Sequence, residues 1–127
     1  MESTVWHAGL ALGIPLFDEA HQAFAEQVQQ LLDGPDAEFA AGLEELVAAL
    51  EDDFRLEEDL MEAIGYAAIA SHREQHARVL ATLHRLPQDS VAAGRHAVSL
   101  LLPWFELHLA TADTALAMAL QSAGAVA

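Results

Sequence analysis

What most constrains this chain is a set of polar residues lodged in otherwise apolar helical stripes. The sharpest of them is His72-Arg-Glu-Gln-His76. On an α-helix, residues four apart lie about 40° from one another around the axis. Both imidazoles then face one point and can converge on a single metal ion. A lone His-x3-His pair is weak, because it arises often by chance. Here three further intrusions accompany it: Asp53 with Glu57, His108 with Asp113, and His21. One metal site drawn from four helices accounts for all of them.

The chain supplies those four helices. It is rich in leucine, alanine and glutamate and poor in β-branched residues, which favours helix over strand. At 127 residues it suits one domain with a modest core. Residues 1–17 carry Gly9, Gly13 and Pro15 among apolar residues and read as an arm lying against that core, with Trp6 packing it down. Asp18 suits the N-cap of a first helix to about Leu32, with Phe17, His21, Phe24, Val28 and Leu31 on one side. Asp33-Gly34-Pro35-Asp36 stops it.

A second helix over 36–64 turns Phe39, Leu43, Leu46, Leu50, Asp53, Glu57, Leu60 and Ile64 inward, and Gly65 ends it. A third over 69–86 turns in Ile69, His72, His76, Val79 and Leu83. The last, over 91–121, carries Leu101, Trp104, Phe105, His108, Leu109, Ala112 and Leu116, with Pro103 predicting a kink near its start. The expectation is an all-α, up-down-up-down four-helix bundle with an N-terminal arm: one domain over 1–127, the arm at 1–17 and the bundle at 18–122.

Charge and composition exclude several roles. Net charge is −15, with five arginines and no lysine. Such a surface repels phosphate backbones and anionic lipid, so neither nucleic acid nor a membrane is an expected partner. No apolar run is long enough to span a bilayer, and the N-terminus lacks the basic region of a signal peptide. A cytoplasmic location follows as the expectation. Without cysteine, the ligand stock is imidazole and carboxylate, which suits iron, manganese or zinc.

Burying Asp53 and Glu57 without partners would cost several kcal/mol each. An isolated buried carboxylate is ordinarily neutralised by arginine or histidine. None of the five arginines falls on an inward stripe, so a metal cation is the better partner. His108 and Asp113 are five apart, about 140° around an ideal helix. Two resolutions stay open: a π-type bulge between them, of the kind common at functional sites, or Asp113 reaching in from the flank. Taken alone, Asp113 could equally be a solvated carboxylate. His84 and His96 fall off the stripes and are expected at the surface; Met61 and Tyr66 read as core and turn residues.

The motifs, in order, resemble the hemerythrin family, specifically its short single-domain bacterial type. Asp18-Glu-Ala-His21 resembles the first-helix D-x-x-H. Phe54-Arg-Leu-Glu57-Glu58-Asp-Leu-Met61 resembles F-x-x-E-E-x-L-M. Gly65-Tyr66 and His72-x3-His76 follow, and Trp104-Phe-Glu-Leu-His108-x4-Asp113 resembles the closing W-x3-H-x4-D. The resemblance covers nearly the whole chain. It implies a non-haem di-iron centre with an oxo or hydroxo bridge that binds dioxygen for carriage, storage or sensing. His72, His76 and His108 would hold one iron. Glu57 and Asp113 would bridge the pair, and His21 would belong to the second iron, where dioxygen binds. An apolar oxygen pocket would consist of Phe24, Trp104, Phe105, Leu109 and Leu116. No residue is assigned a catalytic role.

One position departs from the family. Its pattern H-F-x-x-E has histidine where this chain has Asp53. If Asp53 ligates, directly or through water, the extra negative charge stabilises the ferric state. The centre then moves toward di-iron oxidases and peroxidases acting on dioxygen or peroxide, and manganese competes better. If it does not ligate, the second position is impaired and the protein is a simpler metal binder, with zinc an alternative occupant. His7, in the arm, could replace the missing imidazole.

Overall fold

Each expected apolar stripe lies on a helix in the computed structural model, which describes residues 10–87 and 89–125. Three continuous helices, α1 (Pro15–Asp33), α2 (Asp36–Ala63) and α3 (Ile69–His84), are followed by a fourth rod built in pieces. Those pieces are α4 (Val91–Ser99), α5 (Leu101–His108), a π turn (Leu109–Asp113) and α6 (Thr114–Ser122). The result is an all-helical bundle. No helix among the described residues is long and apolar enough to cross a membrane.

The start of α1 differs from the expectation. Asp18 is not its N-cap; the helix begins at Pro15, so the first three residues assigned to the bundle side belonged on paper to the arm. Proline at the first helical position has no N–H to lose, and its fixed φ suits the helix. Asp18 instead accepts hydrogen bonds from the backbone N–H of Leu12 (2.7 Å) and Gly13 (3.1 Å), fastening the preceding segment to the first turn. Within that segment Leu10 and Ile14 are buried. Trp6 and His7 lie outside the described residues. Likewise α3 ends at His84, two residues short of the expected Leu86.

The fourth rod is interrupted where its sequence demands. Pro103 cannot donate to the carbonyl of Ser99, four residues back, and its ring crowds that group. The helix accordingly breaks between Ser99 and Leu101. Ser90 caps its beginning, its hydroxyl accepting from the N–H of Ala93 at 3.2 Å. Arg95 ties this rod to the end of α1, donating to the carbonyls of Leu32 (2.8 Å) and Gly34 (2.6 Å) while lying over the Phe39 ring. Since α1 has no basic residue in its own last turn, Arg95 satisfies carbonyls that would otherwise end unpaired.

Packing divides the interior into two apolar clusters. One contains Phe24, Leu50, Phe54, Val79, Phe105 and Leu109; the other contains Phe17, Met61 and Leu116, with Ile69 against it. On every rod a polar residue falls between a member of one cluster and a member of the other. His21 lies between Phe17 and Phe24, and Glu57 between Phe54 and Met61. His72 and His76 lie between Ile69 and Val79, and His108 and Asp113 between Phe105 and Leu116. The helical period that builds the apolar faces therefore also stacks these groups into one polar layer across the bundle.

Candidate metal centre

Six ionisable residues of that layer are buried: His21, Glu57, His72, His76, His108 and Asp113, each at most 4% exposed. One donor atom from each of Glu57, His72, His76, His108 and Asp113 lies within 4.8 Å of all the others. The two carboxylates organise the group. Glu57 Oε1 is 3.1 Å from His72 Nε2 and 3.2 Å from His76 Nε2. Asp113 Oδ1 is 3.0 Å from His72 Nε2 and 3.2 Å from His108 Nε2. Their other oxygens face away, toward His21 Nε2, at 3.4 Å from Glu57 Oε2 and 3.6 Å from Asp113 Oδ2.

Asp113 reaches this layer because of the π turn. An ordinary helix would leave it far around the axis from His108. The wider turn, with its i→i+5 hydrogen bonds, brings residues five apart onto one face. The Thr114 N–H donates to the carbonyl of Leu109, and the Thr114 hydroxyl donates to the same oxygen at 2.8 Å. The bulge is thus the resolution the five-residue spacing requires, and Asp113 is only 1% exposed rather than solvated.

Two histidines are oriented from behind. Glu58 faces His76 Nδ1 at 3.0 Å and is itself paired with Arg73 at 3.5 Å. Gln75 Oε1 faces His108 Nδ1 at 2.7 Å. A proton held on Nδ1 by each acceptor leaves Nε2 as a lone-pair donor aimed at the centre. Aromatic rings clamp the same two imidazoles. Phe54 stacks on His76 with centroids 3.7 Å apart, and Trp104 stacks on His108 at 4.7 Å.

The electrostatics show how strongly these groups are coupled. Burial resists ionisation of Glu57, but hydrogen bonds with His21, His72 and His76 outweigh it and hold the carboxyl well below its usual range. Burial also opposes charge on His72, yet Asp113 and Glu57 raise it to about 9. His21 is raised in the same way, against burial, chiefly by Glu57. Around this centre, His76 Nε2, His108 Nε2 and Asp113 Oδ1 are buried without a hydrogen-bond partner among the described residues. Orphans of that kind cost roughly 1–3 kcal/mol apiece. A first-row cation bonded at roughly 2.1 Å places its donors about 3–4 Å from one another, as these atoms stand. The residues fit a metal ion.

Asp53 behaves differently. Only half-buried, it lies outside the five-residue group and makes no hydrogen bond or ion pair with the described residues. It lines a cavity of about 10 Å³ beside His21, walled by Phe24, Leu50, Phe54, Trp104 and Phe105 and floored by Glu57, His108 and Asp113. That is room for about one water-sized molecule. Burial, partly opposed by His21, pushes the Asp53 carboxyl up to about 6. Of the expected apolar pocket, Phe24, Trp104 and Phe105 line this cavity. Leu109 and Leu116 are buried but do not: Leu116 packs with Phe17 and Met61 in the other apolar cluster. Leu50, Phe54, Glu58 and Gln75 were not singled out as site residues from the sequence. His84 and His96 are exposed.

Among known proteins, the chain is similar to a bacteriohemerythrin of Ralstonia nicotianae, 31% identical over 112 residues covering 85% of this chain and 82% of that one. No family model matches the chain, and no solved structure matches it.

Proposed function

The chain belongs to the hemerythrin family, and on that premise we propose that it is a di-iron protein that binds dioxygen for carriage, storage or sensing. We take it as a single up-down-up-down domain with an N-terminal arm. The observation that carries the reading is the division of labour within Glu57 and Asp113. Each presents one oxygen to His72, His76 or His108 and the other to His21. Two carboxylates shared in that manner, with three histidines on one side and one on the other, suit two ions better than one.

His72, His76 and His108 would hold the first iron, Glu57 and Asp113 would bridge, and His21 would hold the second. A pair of irons there would supply the reversible electron transfer to dioxygen that an all-protein pocket lacks. The chain's own contribution is to select and shield. The cavity beside His21 admits about one small molecule, and five of its lining residues are aromatic or aliphatic. Phe24, Phe54, Trp104 and Phe105 give one side of the cavity an apolar wall that offers no proton, which favours retention of the ligand over its loss in reduced form.

A second reading, an oxidase or peroxidase acting on dioxygen or peroxide, is favoured by one observation: Asp53 places a carboxyl group on the wall of that same cavity. The deciding experiment uses protein purified from iron-supplemented cells, assayed for iron per chain and then for visible absorption of the reduced form on exposure to air. Two irons and a persistent oxygen-dependent charge-transfer band support the binding protein. Two irons with immediate conversion to the ferric form support the enzyme. Failure to hold iron rejects both.

A further inference from the structure

The two sides of the centre are unlike in ways that concern metal identity as well as ligand count. Toward His72, His76 and His108 there are three imidazole nitrogens and two carboxylate oxygens, with four contacts among them at 3.0–3.2 Å. Toward His21 there is one imidazole, the remaining oxygens of Glu57 and Asp113 at 3.4 and 3.6 Å, and Asp53 on the cavity wall. Two of the three histidines on the first side are held through Nδ1 by Glu58 and Gln75. The Nδ1 of His21, the one imidazole of the second side, has no such partner among the described residues, nor has that of His72.

We propose that the two positions fill in order and select different metals: the His72/His76/His108 position binds first and tightly, preferring iron or zinc, while the His21/Asp53 position binds second, weakly, and with a preference shifted toward manganese(II). This rests on the two-metal reading above. Imidazole-rich sets suit iron and zinc, whereas carboxylate and water suit harder ions such as manganese. Asp53 would complete the second set as an oxygen donor, directly or through a water in the cavity. Looser spacing and the unheld His21 ring raise the ordering cost of that position, and partners of a ligand shift metal affinity about 10- to 100-fold.

The test is an anaerobic titration of metal-free protein with one equivalent of zinc and then with manganese, followed by calorimetry and by the electron paramagnetic resonance of free manganese. The expected result is one tight zinc and one manganese bound at least about tenfold more weakly. Asp53→His should then raise the zinc-over-manganese preference of the second step at least about tenfold, and Asp53→Ala should weaken manganese by a similar factor. His21→Ala should abolish the second step and leave the first, with the helical circular dichroism spectrum confirming that it folds. Two zinc ions of equal affinity, or a second step indifferent to both Asp53 variants, would overturn the inference while leaving the two-metal reading standing. If neither wild type nor Asp53→His binds a second ion of either kind, the two-metal reading fails with it.

Discussion

The histidine-rich half of the centre and the half around His21 are built from the same rods by different means. In the first, the rings of His72, His76 and His108 pack against one another, with Phe54 and Glu58 fixing His76 and with Trp104 and Gln75 fixing His108. In the second, His21 stands with the far oxygens of two shared carboxylates, and its neighbour Asp53 is half-buried and has no ion-pair partner among the described residues. One half is the more preorganised and meets the cavity only through His108; the other borders it through both His21 and Asp53. On the proposed reading, metal retention would benefit from the first property and ligand entry from the second, so that one polar layer would serve both by being asymmetric.

The largest effect should come from the residue both halves share. Glu57→Gln keeps the side-chain shape but removes the negative charge, and should cost more metal affinity than the roughly 100-fold attributable to outer partners. Iron per chain after purification, measured by elemental analysis, should fall in parallel for both ions. Retention of one full equivalent would break the picture of a shared carboxylate. In the metal-free protein the same change leaves buried histidines with a weaker partner. It should therefore destabilise by up to about 3–5 kcal/mol in urea unfolding.

Next in size is a change confined to the preorganised half. Glu58→Gln weakens the acceptor behind His76 and should lower affinity for the first zinc about 10- to 100-fold. In a zinc-loaded sample that still reaches one equivalent, the manganese step should be unchanged. If the manganese step moves as much as the zinc step, the two halves are not separable.

The pH dependence of metal-free protein should separate Asp53 from the buried histidines His72 and His21 by window. The Asp53 carboxyl is raised from 3.8 to about 6 in the fold, so its share of stability is present below 3.8 and is lost as pH rises through 6. His72 is raised from 6.5 to about 9, so its share is present below 6.5 and is lost as pH rises through 9. Glu57, depressed in the fold, acts oppositely: its share is present above 4.5 and is lost as pH falls further. Urea midpoints from pH 5 to 9.5 should thus fall in two steps, and Asp53→Asn should erase only the lower one. A single step surviving unchanged in Asp53→Asn would assign the whole pH dependence to the buried histidines.

The smallest effect concerns the bulge. Thr114→Ala removes the hydroxyl bond to the Leu109 carbonyl and should cost about 1 kcal/mol, with Thr114→Ser restoring most of it. Chemical unfolding measures both. An Ala variant as stable as wild type would show that the backbone alone holds Asp113 in place.

Much of the centre was legible in the sequence because its grammar is local. The four-residue spacing of His72 and His76 and the stripes of α1 to α3 follow from the helical period. The awkward spacing of His108 and Asp113 already required either a bulge or a flanking approach, and Pro103 marked the break near Ser99. Other features were less legible. Phe54, Glu58 and Gln75 sit one step around the helix from the inward residues, where periodicity assigns no role. Leu109 and Leu116, although truly inward, do not line the cavity, and Leu116 belongs to the apolar cluster on the other side of the polar layer. The start of α1 was misplaced because Asp18 has the chemistry of an N-cap but spends it on the N–H groups of Leu12 and Gly13.

The sequence by itself determined which imidazoles and carboxylates fall on the inward helical faces, since that depends on residue identity and a repeat of 3.6. Only the tertiary structure decided which oxygen of Glu57 and Asp113 faces which histidine, what lines the cavity and how far Asp53 stands from the rest. Those outcomes depend on how the rods rotate and slide against one another, and packing of the two apolar clusters sets that, not the local period.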